Sequence, residues 1–316
     1  MTEELMRLNR DAAAREGVES AVHEKDFIYW YLVDAPHNVT ISKASVDYYF
    51  ADAAHSANKL ANLVRTSDLP KDRKLRLLEF ASGYGRVSRF LKKDPLFDLV
   101  CCDIHPGAIE FLTRELGVKT LQSVSSPLQF TTPGKFDVIF ALSFFSHMPR
   151  ATFGPWLRAL FEALDVGGYL IFTNHGWTSA HRFNLCTLPP DGFIFSPATE
   201  QKDIDASEYG CTIAAPEFVF NEIRRQAGSQ NIRFQQAGWW DLQDVWMVRR
   251  DKLDLPPTPP SRDRQLQLVM LDYFEKRLLD YRKHSRVPWI FRPQAWLTRA
   301  YRNLLRKALS DEPPDS

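Results

Sequence analysis

Four short apolar runs recur at regular intervals through the middle of the chain: LRLLEF (75–80), DLVCCDI (98–104), FDVIFAL (136–142) and YLIFTN (169–174). Helical patterns fill the intervals. One opens at 86–92, one runs over 105–116 with Pro106 near its start, and one spans 152–164 and is stopped by the Asp-Val-Gly-Gly of 165–168. A further helix-period segment, 43–65, precedes them without Pro or Gly. Strands whose residues are apolar throughout, rather than alternately, are covered on both faces. Strict alternation of such strands with helices predicts an α/β fold with a doubly wound, mostly parallel sheet. After a helix at 216–226, two runs near 231–237 and 242–249 read as a closing antiparallel hairpin.

The chemistry begins at LLEFASGYGR, residues 77–86. A glycine-rich turn after a strand usually presents backbone N–H groups to a phosphate. Here a carboxylate, Glu79, stands at its mouth. The dinucleotide fingerprint G-x-G-x-x-G would place its third glycine at Ser88. Glu79 would also lie against a pyrophosphate in a cleft of low dielectric. Both points favour a ligand with a positively charged end. The second strand ends in Asp103, 24 residues beyond Glu79 and one strand-helix-strand unit away. An acid there accepts hydrogen bonds from ribose hydroxyls in nucleotide folds.

The stretches LLEFASGYGRVSRFL, CCDIHPGAIEFL, FDVIFALSFFSHMP and LDVGGYLIFTNHG resemble, in order and spacing, the successive motifs of class I S-adenosylmethionine-dependent methyltransferases, over roughly residues 45–250. The resemblance implies a Rossmann-like sheet and S-adenosyl-L-methionine as cofactor. It implies that Glu79 faces the methionine amino group and that Ala81, Ser82, Gly83 and Gly85 wrap the methionine portion. Asp103 would hold the ribose, Ile104 would lie against the adenine, and Leu142 and Ser143 would line the methyl-donor side. Two positions depart from the family pattern. Ala81 stands where a glycine is usual, and Ser125 is the candidate for the adenine amino group where an acid is often found. The chain is also similar to bacterial methyltransferases found with glycosyltransferases in cell-surface polysaccharide synthesis.

A hydroxyl acceptor benefits from a general base. His147 in SFFSHMP and His175 in TNHG rank equally for that role, with Tyr209 in SEYGC as a third candidate. Each has a plain alternative as a packed, hydrogen-bonded side chain. No His-x-x-x-His pair and no cysteine cluster suggests a metal site. From 176 to 214 the periodicity fails over a span too long for a simple connection, which predicts an irregular lid. Phe193, Phe195, Tyr209, Trp239 and Trp240 are placed either to stack on a sugar or planar acceptor or to pack the lid.

The net charge of +1 hides an asymmetry. Residues 262–309 hold 12 Lys/Arg against 4 Asp/Glu, so a basic tail follows a mildly acidic body. The expected organisation is an N-terminal helical segment covering the active site (1–65), a methyltransferase domain with its insert (66–250), a Pro-rich linker (251–261) and a basic helical tail (262–316). Within 294–309, Leu297, Tyr301, Leu304 and Leu305 share a face away from Arg299, Arg302 and Arg306. That pattern suits an anionic inner-membrane surface, the chain's own domain, or a glycosyltransferase partner. Nucleic acid is not expected, because no recognition fold accompanies the charge. The N-terminus is polar, and the four cysteines (Cys101, Cys102, Cys186 and Cys211) form no CxxC pair. The expectation is a cytoplasmic protein with reduced thiols, in which the sequon at Asn38 is not glycosylated. The function expected is methyl transfer to a hydroxyl of a small-molecule or glycan acceptor. The alternative is a non-catalytic scaffold subunit of a glycan-synthesis complex, which would not need the intact Glu79, Gly83, Gly85 and Asp103 set.

Overall fold

The computed structural model describes residues 1–33, 43–185, 187–197, 201 and 204–251 of the chain. Asn38, Cys186, most of the linker and the whole basic tail, with its segment 294–309, lie outside the described residues.

Seven strands form one sheet: β1 (Leu75–Phe80), β2 (Phe97–Asp103), β3 (Lys119–Gln122), β4 (Phe136–Ala141), β5 (Leu164–His175), β8 (Ile232–Trp239) and β9 (Gln243–Arg249), in the order β3-β2-β1-β4-β5-β9-β8. The first five run parallel, and β9 and β8 close the edge antiparallel. Every residue of β4 is buried. Side chains alternate between two cores. Leu78, Phe80, Ile139, Phe145 and Phe172 pack on one face against α6 (Arg150–Glu162) and α8 (Pro216–Ala227). Leu77, Val138, Phe140 and Ile171 pack on the other against α3 (Lys43–Arg65), α4 (Ser88–Leu91) and α5 (Pro106–Glu115). Burial of each such side chain contributes about 1.5–3 kcal/mol.

Three local features differ from the sequence expectation. Strand β3 is an exposed edge with a mixed polar sequence, so it carries no apolar run. The Asp-Val-Gly-Gly of 165–168 lies inside β5 rather than in a stop, beside a register shift between Phe136 and Val138. A Cβ at Gly168 would lie 2.8 Å from the Asp137 carbonyl oxygen, so glycine lets two strands approach there. The helix expected from 86 is the single turn of α4, because residues 83–87 are taken up by the turn itself.

α1 (Glu3–Glu16) and α2 (Phe27–Val33) pack with α3 around Leu5, Tyr29, Tyr49 and Phe50. Thr2 caps α1, and Gly17 ends it in the left-handed conformation. Fully buried Arg89 donates to the carbonyls of Gly85, Glu19 and Ala21, tying this segment to the glycine turn. The insert is more ordered than its sequence suggests. It holds α7 (Trp177–Arg182) and an antiparallel hairpin of β6 (Phe193–Ser196) and β7 (Cys211–Ala214), with Ile194 and Ile213 packed on Ala180 and Phe183. Two four-residue strands separated by a polar segment leave little periodicity to read. Among the described residues no helix is long and apolar enough to cross a membrane.

Candidate active site

A cavity of about 810 Å³ opens at the carboxyl ends of the parallel strands. The residues singled out above to hold the cofactor, Gly85 excepted, and the three candidate bases His147, His175 and Tyr209 border it. Gly85 has φ +75°, and a Cβ there would lie 2.4 Å from Leu116 Cδ1 and 2.7 Å from Leu112 Cδ2. Its place in the motif comes from packing α5 against the turn.

The cofactor half is built from strand ends. Glu79 is 4% exposed, and its Oε2 accepts a hydrogen bond from Ser88 Oγ at 2.5 Å. Burial pushes its carboxyl up to about 7, although Ser88 and the nearby Arg86 charge favour ionisation. Asp103 Oδ2 accepts from Gly83 N at 2.7 Å, and Oδ1 accepts from His105 N at 3.0 Å. The second strand's acid therefore shapes the first strand's turn. Ala81 (φ +56°), Gly83 (φ +56°) and Gly85 all take left-handed backbone. For Ala81 that conformation costs about 1–2 kcal/mol. Ser125 is exposed in the loop after β3.

Arg86 is not available to a phosphate. Its Nη1 pairs with Asp52 Oδ2 at 2.6 Å, and Trp240 Nε1 donates to Asp52 Oδ1 at 2.8 Å. A buried carboxylate, a close-approach backbone and a spoken-for arginine fit the cationic methionine end of S-adenosylmethionine and fit a pyrophosphate poorly.

In the acceptor half, a chain of hydrogen bonds separates the two histidines. Ser143 N can only donate, and it donates to Thr173 Oγ1 at 2.7 Å. The Thr173 hydroxyl donates to Gln243 Oε1 at 2.6 Å. Gln243 Nε2 then donates to Ser143 Oγ at 2.7 Å and to His175 Nε2 at 3.1 Å. The His175 Nε2 lone pair is therefore occupied, and burial presses this imidazole down to about 3. The two histidines therefore differ in their surroundings. His147 Nδ1 lies 2.8 Å from the Gly210 carbonyl, which accepts, so Nδ1 carries the hydrogen and Nε2 keeps its lone pair. Burial lowers His147 to about 4, which keeps it neutral near pH 7. The Tyr209 ring stacks on it at 4.4 Å and 8°. Gly210 N also donates to the His147 carbonyl at 2.9 Å.

Of the five aromatic residues expected at the acceptor, Tyr209 and Trp240 border the cavity. Phe193 and Trp239 are core residues, 5% and 1% exposed, and Phe195 packs against the core. The sequence reading missed the wall formed by α2, where Phe27, Trp30 and Tyr31 border the cavity. Its signal was present in FIYWYLV (27–33), a helix with four aromatic residues in seven.

The sheet order is accompanied by a family match over residues 78–170 to the methyltransferase domain. Residues 78–170 are thus similar to a methyltransferase domain, and the acid and turn described above fit S-adenosylmethionine as its cofactor. No curated protein matches by sequence. The chain is similar to the solved structure of Burkholderia thailandensis 1,6-didemethyltoxoflavin-N1-methyltransferase with bound 1,6-didemethyltoxoflavin and S-adenosylhomocysteine (13% identity, 73% of this chain and 93% of that chain, TM-score 0.45). It is also similar to the N-methyltransferase NodS of Bradyrhizobium japonicum WM9 with S-adenosylhomocysteine (14% identity, 79% and 100%, TM-score 0.43).

Proposed function

We propose that the protein methylates a hydroxyl of a small-molecule or glycan acceptor, with His147 Nε2 taking the hydroxyl proton. The observation that carries this reading is the imidazole pair. His147 keeps a lone pair open, with its tautomer set by Gly210, while His175 spends its own on Gln243. The bound cofactor supplies a methyl group on an electron-poor sulfonium. The protein's part is then mainly positioning. Glu79 receives the amino group as a buried carboxylate, and the backbone at 81–83 closes on the methionine portion. Asp103 accepts the ribose hydroxyls, while Ile104 and Ser125 face the adenine. Leu142 and Ser143 border the donor side. His147 removes the acceptor proton as the new bond to oxygen forms, and Tyr209 holds the ring at the angle this needs. In this reading the enzyme works in the cytoplasm, with segment 294–309 against an anionic membrane or a glycosyltransferase. That last part rests on the charge pattern of the segment alone.

The test combines calorimetric titration with S-adenosylmethionine and labelled-methyl transfer to a panel of phenols and sugars. The wild type is expected to bind the cofactor at micromolar strength. His147→Gln is expected to bind it equally well and to lose about 10²–10⁴-fold in kcat. Turnover by His147→Gln at the wild-type rate removes the assigned base. Absence of cofactor binding by the wild type removes the whole reading.

A further inference from the structure

We propose that the space between α2 and residues 204–209 is an acceptor subsite for a flat aromatic hydroxyl compound of neutral or positive charge, and that it rejects carboxylated and phosphorylated acceptors. The proposal rests on the methyl-transfer reading above and narrows its acceptor.

The first observation is the shape of α2. Tyr29 and Val33 are 0% exposed in the N-terminal core, so the helix turns its other aromatic residues outward. Phe27, Trp30 and Tyr31 border the cavity, as do Trp156 and Tyr209. An aromatic lining of this kind suits a planar ring.

The second observation is that the buried acids of this half and His147 Nδ1 already have partners, while the indole Nε1 of Trp30 is buried with none. Asp26 accepts from Tyr49 Oη at 2.6 Å and from Tyr29 N at 3.0 Å. Asp52 accepts from Arg86 and Trp240, and His147 Nδ1 donates to Gly210. A buried sugar would bring several hydroxyls into this space, and each one left without a partner costs roughly 1–3 kcal/mol. A phenol brings one, and His147 Nε2 meets it.

The third observation is charge. Among the described residues of this half, Glu24, Asp26, Asp52 and Glu208 border the cavity against two cations. One is Arg86, paired with Asp52, and the other is Lys25, which lies exposed like Glu24 and Glu208, whereas Asp26 and Asp52 are largely buried. An anionic acceptor would meet four acidic side chains against two basic ones, the exposed acids at the entrance and the buried ones within. A cationic one would meet the faces of Trp30 or Trp156 and gain from them.

The experiment is calorimetric titration of the full chain, saturated with S-adenosylhomocysteine, by four probes. These are tyramine (cationic), 4-ethylphenol (neutral), 3-(4-hydroxyphenyl)propionate (anionic) and methyl glucoside (sugar). Tyramine and 4-ethylphenol are expected to bind at least about tenfold more tightly than the other two. In the Glu24→Gln/Glu208→Gln double variant the gap between tyramine and the propionate is expected to narrow several-fold. Equal or tighter binding of the propionate or the glucoside overturns the proposal. So does failure of all four probes to bind a protein that binds S-adenosylhomocysteine, or a gap unchanged in the double variant. Failure of S-adenosylhomocysteine itself to bind overturns the methyl-transfer reading instead.

Discussion

The two halves of the cavity are made in different ways. The centre of the cofactor half comes from one contiguous stretch, Glu79 to Ile104, and its turn is set by backbone hydrogen bonds to the Asp103 carboxylate at a strand end. The acceptor half gathers α2, the turn after β4, residues 201–209 and the β8–β9 turn, and it holds them by ring stacking and side-chain contacts. Their electrostatics also differ. The first holds a buried acid pushed up to about 7, and the second holds a buried imidazole pressed down to about 4. A cation is needed to bring Glu79 fully into its charged form, whereas His147 needs nothing to stay neutral.

The sharpest way to break this contrast is Asp103→Ala. It removes the acceptor for two backbone N–H groups in the turn as well as the ribose partner. Cofactor affinity is expected to fall about a hundredfold, since each hydrogen bond to a charged group is worth roughly 1.5–3 kcal/mol. Calorimetry checks this, and a loss under threefold would mean that the turn keeps its shape without the acid.

The second test uses pH. Binding an ammonium favours ionised Glu79, so cofactor affinity should fall as pH drops through about 7, approaching tenfold per unit below it. Glu79→Gln should flatten that slope. At saturating cofactor, kcat should stay level from about pH 5.5 to 8, because His147 is neutral throughout that window. In the ligand-free protein Glu79 binds its proton more tightly when folded than when unfolded. Its contribution to stability is therefore full below its ordinary carboxyl range and declines as pH rises toward about 7. Titrations and rate profiles across pH measure both limbs. An acid limb in kcat near pH 7 would shift the base away from His147.

The smallest effect concerns Ala81. Its left-handed backbone is one that glycine adopts freely. Ala81→Gly should raise stability by about 1 kcal/mol in thermal or urea unfolding and leave cofactor affinity within about twofold. A loss of stability would show that the methyl group makes a contact worth more than the strain.

How legible each region was in the sequence follows the same division. The parallel strands and the carboxylates at their ends were readable because each rests on a short local pattern. Glu79 and Asp103 lie where the end of an apolar run puts them. Gly85 was readable as necessary, but its reason was not, since Leu112 and Leu116 meet it only after α5 folds back. Strand β3 escaped because an exposed edge needs no apolar face. The two histidines were indistinguishable because the residue that separates them, Gln243, lies 68 residues beyond His175 and 96 beyond His147. The α2 wall was missed although its aromatic density was visible. Nothing local says that one face of a short helix will be a ligand's wall rather than core.

The junction of Asp52, Arg86 and Trp240 has a consequence for how the enzyme comes into being. Asp52 and Trp240 are 188 residues apart, and the neighbouring pairs Ser56–Trp239 and Lys59–Gly238 are separated by 183 and 179. On a ribosome adding about 5–20 residues per second, α3 waits roughly ten to forty seconds for the turn that seals it. During that time the glycine turn and both of its acids already exist, but the pocket has an open side. An early nascent chain can therefore display the cofactor motif well before it has a chamber in which to use it.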